Sequence, residues 1–172
     1  VISGYNSEFY QSLNREKLPV VLADRVSGDV DLDSVVVNHT ESTRRVVKYL
    51  LSQGYQRLVV FRRPHVNPYN TPAIRADAAS AACEEFFGDD SHCIQVQLSA
   101  SSKQHGVNFE EVSQVMEQYY ENSREIPTAI FVSEKSIMLN VICSFYRSSM
   151  KRSHQFTIAG YSDESISNMF VP

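Results

Sequence analysis

The stretch that decides the fold runs from Thr40 to Phe61, TESTRRVVKYLLSQGYQRLVVF. Its first part, Thr40 to Gln53, sets Val46, Val47, Leu50 and Leu51 on one face at helical spacing. Gly54 follows, a residue that takes the left-handed helix stop without steric cost. Leu58 to Phe61 then reads as a strand, short, apolar and rich in β-branched residues. Outward from this unit the same alternation repeats. Pro19 to Ala23 and Val35 to Asn38 precede it as strand-like runs, and Cys93 to Leu98, Thr128 to Val132 and Phe156 to Gly160 follow. Helical patterns stand between them. One runs from Pro72 to about Phe87, with Thr71 as its capping hydroxyl and Pro72 at the first position, where a missing N–H costs nothing. Another is capped by Asn108 with Glu111 three residues on, and has the stripe Phe109, Val112, Val115, Met116, Tyr119. A third repeats at Ile137, Met138, Val141, Ile142 and Phe145. Strands alternating with helices predict an α/β fold, a parallel sheet with helices on both faces.

Composition narrows the function classes. The 172 residues are 42% hydrophobic and 21% charged, enough to bury a core, and the net charge of -4 opposes a surface that grips nucleic acid by neutralising phosphates. Cys83, Cys93 and Cys143 are odd in number and lack CxxC spacing, so they read as reduced, buried thiols of a cytosolic protein. No run of apolar residues reaches membrane-spanning length, and the start carries no leader-like pattern. The chain opens on Val1 without Met and stops at Pro172, which reads as a piece of something longer. The five histidines lack metal-site spacing, and no GxGxxG, GxxxxGK[ST] or GxSxG context is present, so nothing positive points to an enzyme, a metal or a cofactor.

In an open parallel sheet, ligands sit beyond the carboxyl ends of the strands. The positions there are Asp24 and Arg25, Asn38 and His39, the loop from Arg62 to Arg75, Ser133 to Lys135, and Ser162 to Glu164. Arg75 stands out because a cation in the first turn of a helix opposes the macrodipole by about 0.3–1 kcal/mol. It is either compensated by a ligand, paired with Asp77 or Asp24, or simply solvated. Ser162, Asp163 and Glu164 can present a carboxylate to ligand hydroxyls or merely start a helix, and Ser133 and Glu134 carry the same two readings. Arg62-Arg63 is either surface charge or an attractor for a phosphate or carboxylate.

Several segments, in order, resemble the effector domain of the lactose/galactose-repressor (LacI/GalR) family. Leu18-Pro-Val-Val-Leu-Ala-Asp-Arg25 is similar to its strand and turn, and Ser34 to Asn38 with Thr40 to Leu58 to its strand, helix and "yLi..Gh.rI" segment. Ile126 to Val132 is similar to its "PtAifa" strand, and Phe156 to Asp163 to "isiiGfDd". The resemblance covers nearly the whole chain and implies a periplasmic-binding-protein-like type I fold. Residues 1–37 would close the N-terminal subdomain, and residues 38–172 would form most of the C-terminal one, with the helix-turn-helix headpiece outside this chain. It implies a cytoplasmic, dimeric regulator whose small-molecule effector, a sugar, sugar phosphate or other anionic metabolite, modulates DNA binding by that headpiece.

The resemblance puts Arg75 on the family's effector-binding arginine, Thr71 one turn earlier on a hydroxyl-bearing position, and Asp24 on the aspartate facing the cleft. Ser162 stands where the family has an aspartate, with Asp163 beside it, and Glu134-Lys135 stands where it has Asn-Asp. No stacking aromatic occurs among Leu98 to Ser102, and Arg62-Arg63 replaces a small turn. These departures point from a neutral sugar toward an anionic ligand. Competing readings are a transporter's sugar-binding protein, a receiver-like domain phosphorylated on Asp24 with Lys135 as its lysine, and a regulator that has lost its ligand.

Overall fold

A computed structural model of the chain describes residues 7–16, 19–24, 28, 30–63, 70–99, 107–148, 150 and 153–161. The elements are α1 (Ser7–Arg15), β1 (Val21–Ala23), β2 (Asp33–Val35), α2 (His39–Ser52), β3 (Arg57–Arg62), α3 (Thr71–Phe87), β4 (Cys93–Gln97), α4 (Phe109–Asn122), β5 (Thr128–Val132), α5 (Lys135–Arg147) and β6 (Phe156–Gly160). Strands β3 to β6 form one parallel sheet in the order β4-β3-β5-β6, and β1 and β2 pair in parallel as a separate two-stranded sheet.

Period-two alternation sorts the sheet's side chains into two cores. Leu58, Val60, Ala129 and Phe131 face α2 and α3, meeting Val47, Leu50, Leu51, Ala76, Ala79 and Cys83. Val59, Phe61, Ile130 and Val132 face α4 and α5, meeting Val112, Met116, Ile137 and Val141. Helices therefore cover both faces, as the alternation of elements predicts. The buried face of α3 is almost wholly alanine, with Ala73, Ala76, Ala79 and Ala82 all inside. Small side chains let its backbone lie close to α2 and the sheet.

Four local expectations need correcting. The second strand is Asp33–Val35, not Val35 to Asn38. Val36 and Val37 are exposed, and the Asn38 side chain is drawn into capping α2, accepting from the Glu41 N–H at 3.0 Å. Thr71 does not cap α3; the cap is Asn70, extended and making no side-chain bond to the helix's first N–H groups, and Gly88 ends the helix at φ 85. Asn108 caps α4 through the Glu110 N–H, while Glu111 turns away to accept from the Ser99 N–H at 2.9 Å. Of the three thiols only Cys83 is buried. Helix α1, with Tyr10 buried, has no counterpart among the sequence expectations because its apolar positions are few.

Candidate functional site

The chain diverges between β3 and β5. From β3 it passes through α3 to β4 on one side, and from β5 through α5 to β6 on the other. At such a switch point the carboxyl ends of neighbouring strands splay their connections apart, leaving helix N-termini pointed into the gap. Arg63, Ser133 and Tyr161 each follow directly on the carboxyl end of a strand, β3, β5 and β6, while His39 opens α2 and Arg75 stands one turn into α3.

Arg75 is half-buried and lies over the Tyr161 ring, its guanidinium carbon 3.6 Å from the ring centroid. Its Nε and Nη2 point to His39 Nδ1 at 3.4 and 3.3 Å, and Nη1 donates to the Ser133 carbonyl at 3.4 Å. Because Nδ1 accepts, the proton of a neutral His39 sits on Nε2, which faces Asp24 Oδ1 at 3.2 Å. Asp24 is thus linked to Arg75 by hydrogen bonds through a histidine, and Asp77, the other candidate partner, pairs with Arg62 instead. Burial pushes the Arg75 pKa down, and the fields of Tyr161 and Asp24 push it back up. A cation–π contact contributes on the order of 0.5–2 kcal/mol, enough to offset the misplaced charge at the helix start.

Arg62 and Arg63, the doublet that could attract an anion, are both engaged by side chains of this chain. Arg62 donates to Asp77 at 2.8 Å and to Gln95 at 2.9 Å. Arg63 crosses the switch point to Glu134, with Nη2 to Oε2 at 2.9 Å and Nε to Oε1 at 2.5 Å. Glu134 is buried at the start of α5 and also accepts from the Ser136 hydroxyl at 2.6 Å.

Tyr161 is held from three directions. Its hydroxyl bonds Ser42 and Thr43 at 2.9 Å each, its ring meets Phe131 edge-on at 6.3 Å, and its N–H donates to the Val132 carbonyl at 3.1 Å. Gly160 makes this approach feasible, since a Cβ there would stand 2.2 Å from that carbonyl oxygen and 2.8 Å from Met138. We expect Gly160→Ala to cost about 1–3 kcal/mol by overpacking. A urea melt checks it, and an unchanged midpoint would contradict the close approach.

Of the residues nominated from sequence, Arg75, Thr71, Asp24 and Glu134 are described. Thr71 opens α3 one turn before Arg75, both partly exposed. Asp24 follows directly on β1 in the left-handed region at φ 54, with its side chain 63% exposed. Ser162 and Asp163 lie outside the described residues. Of the two residues that hold Arg75, His39 is among the positions the sequence sets beyond a strand's carboxyl end, whereas Tyr161, directly after β6, is given no role there. Asp24 and Lys135 belong to different sheets' ends, β1 and the β5–α5 turn, so the receiver-like reading fails. Among the described residues no group of His, Cys, Asp and Glu could hold a metal ion, and no helix is long and apolar enough to cross a membrane.

The architecture is the periplasmic-binding-protein-like type I fold found in LacI-type transcriptional regulators. The LacI transcriptional regulator from Lactobacillus brevis superposes with a TM-score of 0.75 at 22% identity, over 99% of this chain and 61% of that one. CcpA of Lactococcus lactis gives 0.67 at 16% identity, over 98% of this chain and 58% of that one. In sequence, the HTH-type transcriptional regulator KdgR of Bacillus subtilis is 22% identical over 165 residues, 94% of this chain. The chain spans 45% of that regulator's length. No protein-family model matches the sequence.

Proposed function

We propose that this chain is the ligand-sensing core of a LacI-type transcriptional regulator, and that its effector is a small anionic molecule bound against Arg75. The observation that carries the reading is the state of that arginine. It is half-buried at the switch point, pre-oriented on Tyr161, and its hydrogen-bond partners among the described residues, His39 and the Ser133 carbonyl at 3.3–3.4 Å, include no carboxylate. A planar guanidinium so placed fits a carboxylate or phosphate, which gives shorter, charge-assisted bonds. Thr71 stands on the same helix end to bond a ligand hydroxyl, and Ser162 and Asp163 follow Tyr161 in the chain. We assign residues 1–37 to the end of an N-terminal subdomain and 38–172 to the C-terminal one, with the effector between them.

The effector acts by its differential affinity for two arrangements of the subdomains. The chain of contacts from Arg75 through His39 to Asp24 at the end of β1 supports that route, because a ligand that engages Arg75 competes for the histidine's partner. The change would reach DNA through a headpiece outside this chain, in a cytoplasmic dimer. The likeness to proteins described as transcriptional regulators favours this over a transport role.

Thermal melts against neutral hexoses, hexose phosphates and sugar acids test the proposal. A true effector at 100 times its Kd should raise the midpoint by about 5–10 °C. Shifts from the anionic probes alone support it. Equal shifts from neutral sugars would overturn the ligand class, and no shift from any probe would favour a regulator that has lost its effector.

A further inference from the structure

Two thiols meet toward the end of α3 that lies away from the proposed effector site. Cys83 lies one turn before the end of α3, fully buried in the core that α2 and α3 share with the sheet. Cys93 is the first residue of β4, the edge strand, and is partly exposed while packing against the same core. Leu58 brings them together. It pairs in register with Cys93 and belongs to the cluster that holds Cys83. The connection from Phe87 to Cys93 is short and pinned, with Gly88 closing the helix, the Phe87 and His92 rings stacked at 3.9 Å, and His92 Nδ1 bonded to the Gln56 carbonyl at 2.6 Å. Both side chains thus pack in one core, close enough that each thiol perturbs the ionisation of the other. Cys143, by contrast, belongs to α5, which packs on the opposite face of the sheet.

We propose that Cys83 and Cys93 form an oxidisable dithiol, at which hydrogen peroxide closes a disulfide that ties α3 to the edge strand. The two sulfurs divide the work. The Cys83 hydrogen bond, against burial and helped by the Ser80 hydroxyl, holds the Cys93 thiol down at about 7, whereas Cys83 keeps its proton and is pushed up by that bond and by burial. Cys93 is therefore the attacking thiolate and Cys83 the resolving thiol.

In the first step the Cys93 thiolate attacks one peroxide oxygen. The O–O bond breaks, Cys93 becomes a sulfenic acid, and the departing hydroxide takes up the proton that Cys93 had released, giving water. In the second step the Cys83 sulfur attacks the Cys93 sulfur. The S–O bond breaks, and the hydroxyl leaves as water with the Cys83 proton. Two thiols are oxidised by two electrons in all, and one peroxide is reduced to two waters.

The test treats the full-length protein with hydrogen peroxide, alkylates it under denaturing, non-reducing conditions, and digests it after glutamate, which separates the two cysteines at Glu84 and Glu85. A linked peptide pair is expected in the wild-type protein and in Cys143→Ser, lost after dithiothreitol. It should be missing from Cys93→Ser. In Cys83→Ser the reaction should stop at a Cys93 sulfenic acid that dimedone traps, an outcome that a merely misfolded variant does not produce selectively. Recovery of both cysteines fully alkylated at a dose that oxidises Cys143, or of Cys93 as sulfinic acid without a linked pair in the wild-type protein, would overturn the proposal.

Discussion

Arg75→Ala is expected to weaken binding of whichever anionic probe stabilises the wild-type protein by about 30- to 5000-fold, the consequence of losing 2–5 kcal/mol from a desolvated charge pair. Isothermal titration measures it directly. The unliganded variant should melt close to wild type, because removing a cation from the start of α3 relieves about 0.3–1 kcal/mol while the stacking on Tyr161 that is lost was of similar size. Arg75→Lys should bind nearly as poorly. An ammonium keeps the charge but cannot lie over a ring and present an edge to His39 and Ser133 at once. Undiminished affinity in the alanine variant would remove the basis for the effector site.

The largest loss of stability should come from Phe131→Ala. Phe131 sits in the middle of β5, fully buried between the sheet and the α2–α3 layer, and it also backs the Tyr161 ring. Truncating such a side chain removes its transfer energy and leaves a cavity that a close-packed alanine helix fills poorly, costing about 3–5 kcal/mol. For a chain of this size that lowers the midpoint by roughly 6–20 °C. Calorimetry reads the shift. A drop of under about 3 °C would mean that the layer relaxes into the space, contrary to its dense packing.

Much of this arrangement is legible in the sequence because the strongest signals are local. The period of Val46, Val47, Leu50 and Leu51 and the Gly54 stop define α2, and the β-branched runs define β3, β5 and β6 within a residue or two. Where local signals compete, the reading slips. Val35 to Val37 has strand propensity, yet pairing with β1 and capping of α2 by Asn38 divide the segment otherwise. Arg75 is legible as a charge in the wrong place on a helix. Its partners are not, since His39 and Tyr161 lie 36 residues before it and 86 after it in the chain, and only the folded sheet edge brings them together. Likewise, the Arg62-Arg63 doublet looks like available positive charge until Asp77, Gln95 and Glu134 converge on it.

The alanine face of α3 has a mechanical consequence. Between Arg75 and Cys83 every buried side chain is alanine or serine, so this stretch sits backbone-close, and the two residues are eight positions apart, about 12 Å along the axis. The same helix thus carries the candidate effector-binding cation and one of the two thiols. Whatever clamps its tail to the margin of the sheet would therefore be felt as a changed set-point for the guanidinium at its head.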